Sequence, residues 1–163
     1  MSKRLILPVG NIGSGKSTFI QPRIKNKVVV SLDGLRYMIG GRKYRFDPEL
    51  EPYLYKTQAY LLHELMMDEK TIIIDETHMT RKSRERHIKT AKKHNYKVHV
   101  WLFPRLEKEE AVNRRMSNPH DCDNKKIWET VWQRKDNRYE EPIKKEGIDY
   151  IRKITRKEIG CAI

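Results

Sequence analysis

Apolar residues recur in short runs along the whole chain, and the runs alternate between two spacings. Leu5, Ile6, Leu7 and Val9 form an apolar stretch that ends at a glycine-rich segment, which reads as a buried strand over residues 5–9. A second strand is predicted over 27–32 around the β-branched Val28, Val29 and Val30. Ile72, Ile73 and Ile74 mark a third over 71–75, and further strands are predicted over 96–103 and 148–154. Between these runs the spacing turns helical. A short helix over 17–21 is cut by Pro22. A longer one over 48–67, opened by Pro48 and Pro52, places Leu50, Leu54, Leu61, Leu62, Leu65 and Met66 largely on one face. A basic helix over 81–94 has Thr80 as its N-cap and Asn95 as its left-handed stop. Helices over 107–116 and 125–138 flank a polar loop at 117–124, and Ile127, Trp128 and Val131 are expected to point inward from the second. Gly40 and Gly41 mark a flexible connection.

Strands that alternate with helices imply an α/β fold, with a parallel sheet covered on both faces. No repeat or linker interrupts the pattern, so one domain over 1–163 is expected, with a mobile lid at about 104–126.

Charge adds a partner class to this picture. The net charge is +13 over 163 residues, which favours a polyanionic partner such as nucleic acid. A well-solvated basic surface would show the same balance. Cys122 and Cys161 form no disulfide framework, and the N-terminus does not read as a signal peptide. The apolar runs are too short to span a bilayer, so a reducing, cytoplasmic setting without membrane contact is expected.

The chemistry starts at the end of the first strand. Gly10, Asn11, Ile12, Gly13, Ser14, Gly15, Lys16, Ser17 and Thr18 carry a Gly-x-x-x-x-Gly-Lys-Ser pattern between a predicted strand and a predicted helix. Such a loop wraps backbone N–H groups around phosphates, so these residues are expected to bind ATP. Lys16 would reach the β- and γ-phosphates, and the Ser17 hydroxyl would bind Mg²⁺.

Asp33 follows the second strand, at the strand ends where open parallel sheets bind ligands. It has two readings: the base that accepts the proton of an attacking hydroxyl, or the cap of a helix beginning at Gly34. Arg36 lies one helical turn on, either beside Asp33 to hold an acceptor phosphate or as a plain surface arginine. Asp75 ends the third strand, where a carboxylate can order Mg²⁺ through water, with Glu76 as support because side chains alternate along an extended backbone. Thr77 follows at the same rim. Arg114 and Arg115 close a helix before the polar loop, either as lid arginines that neutralise developing charge or as residues favoured by the helix dipole. His78, His120, Asp121 and Cys122 are metal-capable in type, yet their spacing matches no zinc pattern.

With these residues in place, the chain resembles the kinase domain of phage-type polynucleotide 5′-hydroxyl kinases, within the small P-loop kinases. The likeness runs from about Leu5 to Pro142. It rests on the phosphate loop, on Leu32-Asp33-Gly34-Leu35-Arg36, on Asp75-Glu76-Thr77-His78, on Val112-Asn113-Arg114-Arg115, and on the stretch from Val131 through Tyr139 to Pro142. The resemblance implies a P-loop kinase fold and transfer of the ATP γ-phosphate to a 5′-hydroxyl of DNA or RNA, with Mg²⁺. It implies Asp33 as general base, Lys16 as a phosphate ligand and Arg114 as the lid arginine. Arg36, with Glu76 and Thr77, would meet the substrate. The family's second lid arginine is replaced here by Asn118, which leaves Arg115 or a downstream lysine to substitute. No Asp-x-Asp-Gly-Thr pattern occurs, so kinase activity alone is expected, without a fused phosphatase. Two rivals share the site: a kinase of nucleosides, nucleotides or sugars, and an ATPase module that phosphorylates nothing.

Overall fold

The computed structural model describes residues 3–117 and 124–160. Asn118, His120, Asp121, Cys122 and Cys161 lie outside the described residues, as does the middle of the expected lid.

Five strands form one parallel sheet: β1 (Arg4–Val9), β2 (Val28–Val30), β3 (Ile72–Ile74), β4 (Lys97–Leu102) and β5 (Tyr150–Lys153), in the spatial order β2-β3-β1-β4-β5. Register is set by side-chain alternation. Leu5 pairs with Ile72 and Val98, and Ile6 with Ile73 and His99. Leu5, Leu7, Val9, Ile72 and Ile74 therefore share one face with Val98 and Val100. That face packs on Leu62 and Met66 of α3 (Glu51–Met67) and on Ile88 and Ala91 of α4 (Arg81–Lys93). Ile6 and Ile73 point the other way, to Phe19 and Ile20 of α1 (Lys16–Ile20) and Ile159 of α7 (Arg156–Gly160). A sheet buried on both faces explains why its central strands read as continuous apolar runs.

Two helices stand beyond the sheet. α5 (Lys108–Met116) and α6 (Lys125–Asp136) form a satellite core of Leu106, Ala111, Val112 and Trp132. Among the described residues no helix is long and apolar enough to cross a membrane.

Several sequence expectations need correction. The strand expected over 27–32 stops at Val30, because Ser31 caps a further helix, α2 (Leu32–Ile39), by accepting a hydrogen bond from the Gly34 N–H at 3.2 Å. In α3, Leu61 faces outward and the buried stripe is Leu54, Gln58, Leu62 and Met66, at strict i,i+4 spacing. In α6, Ile127 is exposed and Trp132 takes the inward position. The caps of α4 stand as expected: Thr80 and Ser83 bond reciprocally, and Asn95 has φ 58°.

Because all five strands are parallel, their carboxyl ends share one rim. The loop after β1, the start of α2 after β2 and Asp75 after β3 all lie along it.

Candidate active site

The loop between β1 and α1 is held from three sides. Gly13 (φ 71°) and Gly15 (φ 87°) both adopt left-handed conformations, which glycine enters without strain. A Cβ on Gly13 would collide with the Ala111 carbonyl of α5, and one on Gly15 would come within 2.6 Å of Ile159 of α7. The buried Asn11 donates through its side-chain amide to the Trp132 carbonyl of α6 at 3.0 Å. The loop is thus clamped by α5, by α6 and by the C-terminal helix. The basic tail after β5 reads as uninformative in sequence, yet Ile159 packs at the base of the glycine loop.

Lys16 curls over this loop. Its Nζ donates to the carbonyls of Gly10 (3.0 Å) and Asn11 (2.8 Å). Burial pushes its ammonium down to about 8; the charges of Lys135 and Arg115 lower it further, and those of Asp75 and Asp33 oppose the shift. Burial likewise raises the Asp75 carboxyl, against the pull of Lys16 and with the push of Asp33 and Glu76. Lys16, Asp75 and Asp33 therefore sit within one another's fields. Ser17 is exposed beside them at the helix start.

The donor set fits a nucleotide with a hard divalent cation. A glycine loop offers backbone N–H groups, Lys16 offers a mobile ammonium, and the Ser17 hydroxyl and Asp75 carboxylate supply the oxygen ligands that Mg²⁺ prefers.

The other side of the rim is built on α2 and α3. Ser31, not Asp33, caps α2, so the capping reading of Asp33 is removed. The Asp33 carboxylate is largely exposed at the rim and accepts a hydrogen bond from Nη1 of Arg36. Arg36 is also gripped by Glu51 at the start of α3: Nε donates to Oε1 at 2.8 Å and Nη2 to Oε2 at 2.6 Å. The Glu51 bonds hold the guanidinium's proton more tightly than in an ordinary arginine. Arg36 is therefore no loose surface arginine. Sequence reading missed Glu51, whose only signal is its first-turn position in a long helix.

Glu76 and Thr77 part ways. The Glu76 carboxylate turns toward Gln58, which donates to it at 2.7 Å, and Arg86, which donates at 2.9 Å. Asp75, by contrast, lies in the field of Lys16 and Asp33. The Thr77 carbonyl accepts from the Gly10 N–H at 3.1 Å, and its hydroxyl accepts from Lys135 Nζ at 3.0 Å. Lys135 comes from α6, and burial lowers its ammonium's pKa. Arg115 and Lys135 both act on Lys16 through their charge.

Arg114 and Arg115 differ. Arg114 pairs with Glu110 one turn back in α5 at 2.8 Å. Arg115 stacks on the Trp128 ring of α6 at 4.3 Å, and its charge acts on Lys16. Of the two, Arg115 is the one whose charge reaches the phosphate-loop lysine.

A family model described as an AAA domain matches residues 5–142. Two solved structures of the Pnkp1/Rnl/Hen1 complex, one described as an RNA repair complex, resemble the chain at 29% and 26% identity with TM-scores of 0.62 and 0.68. They cover 69% and 85% of this chain, which spans only 39% and 47% of theirs, less than half in both cases. The Mycobacterium tuberculosis APS kinase CysC, solved with AMPPNP and APS, shares the fold at 12% identity and a TM-score of 0.62, over 99% of this chain and 94% of its own. Comparison with curated proteins gave no match.

Proposed function

The chain belongs to the AAA domain family and has the P-loop kinase fold, and from that premise we propose that it transfers the γ-phosphate of ATP to the 5′-hydroxyl of a DNA or RNA end. The observation that carries this reading is the Asp33–Arg36–Glu51 arrangement facing Lys16 and Asp75 across the rim. A nucleotide-binding module that phosphorylates nothing has no need of an acceptor base beside a fixed guanidinium. A polynucleotide end offers one hydroxyl and an adjacent phosphate diester, which suits one carboxylate and one arginine at helical i,i+3 spacing.

In this reading Asp33 accepts the proton of the 5′-hydroxyl while Arg36 grips the phosphate next to it. Lys16 exchanges the Gly10 and Asn11 carbonyls for the ATP phosphates. Arg115 and Lys135 face the charge that develops on the transferred group. Ser17 and Asp75 would hold Mg²⁺, which neutralises charge on the phosphate oxygens. The work of the chain is placement and electrostatic stabilisation, because phosphoryl transfer is an in-line displacement with little covalent demand on the protein.

The +13 charge supports a polyanionic acceptor, as does the likeness to a complex described as an RNA repair complex. The test is labelled ATP offered with 5′-hydroxyl DNA, 5′-hydroxyl RNA, nucleosides or no acceptor. Label on oligonucleotide 5′ ends is expected. Label on nucleosides alone, or phosphate release with no labelled acceptor, would overturn the reading.

A further inference from the structure

Directly behind the phosphate site, three electron-pair donors converge where no catalytic role uses them. Glu76 follows β3, His78 lies two residues on, and His87 reaches in from α4. One ligand atom from each falls within 4.8 Å of the others, and both histidine Nε2 atoms lie 3.9 Å from Glu76 Oε2. Both histidines are buried, at 1% and 4% exposure.

The protonation pattern makes this cluster short of a cation. His78 Nδ1 lies 2.9 Å from the Pro8 carbonyl, an acceptor, so the ring proton resides on Nδ1 and Nε2 carries a lone pair. Among the described residues nothing donates to that buried Nε2. His87 Nε2 also carries a lone pair, here engaged by a hydrogen bond from Arg86 Nε at 3.1 Å. Two imine nitrogens and a carboxylate oxygen thus face one another. The Arg86 guanidinium, donating to both His87 and Glu76, is the cation that partly offsets them. An unpaired buried lone pair of this kind is costly and uncommon.

We infer that Glu76, His78 and His87 form a binding site for one transition-metal cation of borderline softness, zinc foremost. Imidazole nitrogens and one carboxylate select Zn²⁺ or its neighbours over Mg²⁺, which prefers oxygen ligands throughout. The supporting shell is already in place. Pro8 fixes the His78 tautomer, and Gln58 donates to the other Glu76 oxygen at 2.7 Å. A groove of about 570 Å³, lined by Glu76, Arg86, Tyr55 and Lys89 among others, gives an entry path from solvent. The 3.9 Å gaps to Glu76 need to close by roughly half an ångström to reach tetrahedral ligand spacing, given metal–ligand distances near 2 Å. Arg86, on the solvent side and stacked 5.0 Å from the Tyr55 ring, has room to swing aside. A metal here would pin the turn between β3 and α4, and with it Asp75 and Thr77 on either side of Glu76. Sequence spacing hid the site because its ligands are not in a zinc-type array; the fold returns α4 to the end of β3.

The test is titration of the full chain with Co²⁺ as a spectroscopic stand-in, in the wild type and in the Arg86→Ala, His87→Gln and Glu76→Gln variants. Each variant is first checked for folding by circular dichroism. One equivalent of Co²⁺ is expected to give the strong visible absorption of a four- or five-coordinate ion. Binding should tighten in Arg86→Ala, which removes the competing cation, and Zn²⁺ should displace the Co²⁺. The band should vanish in His87→Gln or Glu76→Gln, whichever folds. A weak six-coordinate spectrum that survives those substitutions would place Co²⁺ at Ser17 and Asp75 and overturn the inference. So would the absence of a band in both wild type and Arg86→Ala.

Discussion

The carboxylate of Glu51 holds the guanidinium of Arg36 on two of its nitrogens, at 2.8 and 2.6 Å, from the first turn of the helix that follows. This fork-to-fork pairing fixes the plane of Arg36 and leaves Nη1 directed at Asp33. Removing Glu51 should therefore act on acceptor binding first. Glu51→Ala is expected to raise the KM for a 5′-hydroxyl oligonucleotide about tenfold, with kcat and the KM for ATP much less changed, because a mobile arginine loses most of a charge-assisted contact. Arg36→Lys should not restore it, since an ammonium cannot be held in that fork. Equal loss in both KM values would show that Glu51 supports the fold at large.

Asp33 has been freed from capping by Ser31, so its carboxylate is available for chemistry. Asp33→Ala should reduce transfer by at least about a hundredfold, the usual scale for a general base, while ATP still binds. Unchanged turnover in Asp33→Ala, measured with labelled ATP, would remove the base assignment.

Lys16 titrates near 8 in the free protein, pushed down chiefly by burial. Bound phosphates would raise that value, so ATP binding takes up a proton wherever free Lys16 is partly neutral. The sign follows: affinity falls as pH rises above about 8, and stays level below about 7 as far as Lys16 is concerned. Near pH 8 the uptake should approach about half a proton, since half of free Lys16 is then neutral. Calorimetry in two buffers of different ionisation enthalpy measures this directly, and Lys16→Met should lack the uptake.

Arg114 and Arg115 separate on geometry. Arg115 acts on Lys16 and stacks on Trp128, whereas Arg114 pairs with Glu110. Arg115→Ala is expected to lower kcat about 10²–10³-fold, the range for a lost donor to developing charge. Arg114→Ala should stay within a few-fold, in line with roughly 0.2–1 kcal/mol for an exposed ion pair. The reverse order in steady-state rates would return the role to Arg114.

The parts of this molecule that sequence reveals are those where one local signal decides. Ile72–Ile74 reads as a strand because a central strand buried on both faces is a continuous apolar run, whereas Val28–Val30, at the sheet edge with Val29 exposed, reads as one through its β-branched residues. The phosphate loop reads because its glycines are required by backbone shape. The start of α2 is misplaced in sequence, because Asp33 reads as the cap of a helix beginning at Gly34 when Ser31 fills that place. Gln58 sits in the buried stripe of α3, where an apolar pattern predicts a hydrophobe, because its amide meets Glu76 from another element. Glu51, Lys135 and Ile159 matter through contacts across 15, 58 and about 144 residues of chain, a pairing no local period encodes.

Arg84 supplies the last test, on stability. Its side chain is fully buried within the basic helix α4, where periodicity predicts an apolar residue. Nε and Nη2 donate to Glu146 at 2.8 and 2.9 Å, and Nη1 donates to the His78 carbonyl at 2.9 Å. These bonds tie α4 to the turn after α6 and to the left-handed residue that follows Thr77, His78 having φ 45°. Arg84→Met would leave a carboxylate of low exposure and a buried carbonyl without partners. The expected loss is about 3–5 kcal/mol in urea unfolding at neutral pH, read as a lower midpoint at unchanged slope. Coupling Arg84→Met with Glu146→Leu removes the stranded charge as well, and should regain much of the loss, because a buried pair exchanged for apolar groups is often near neutral. If the double variant is as unstable as the single one, the His78 carbonyl, not the Glu146 charge, carries the effect. The same pair should make stability fall as pH drops through the carboxylate range. Burial alone would raise the Glu146 pKa, but its Arg84 hydrogen bonds hold it below the usual glutamate value, so its contribution is complete above that value and fades beneath it.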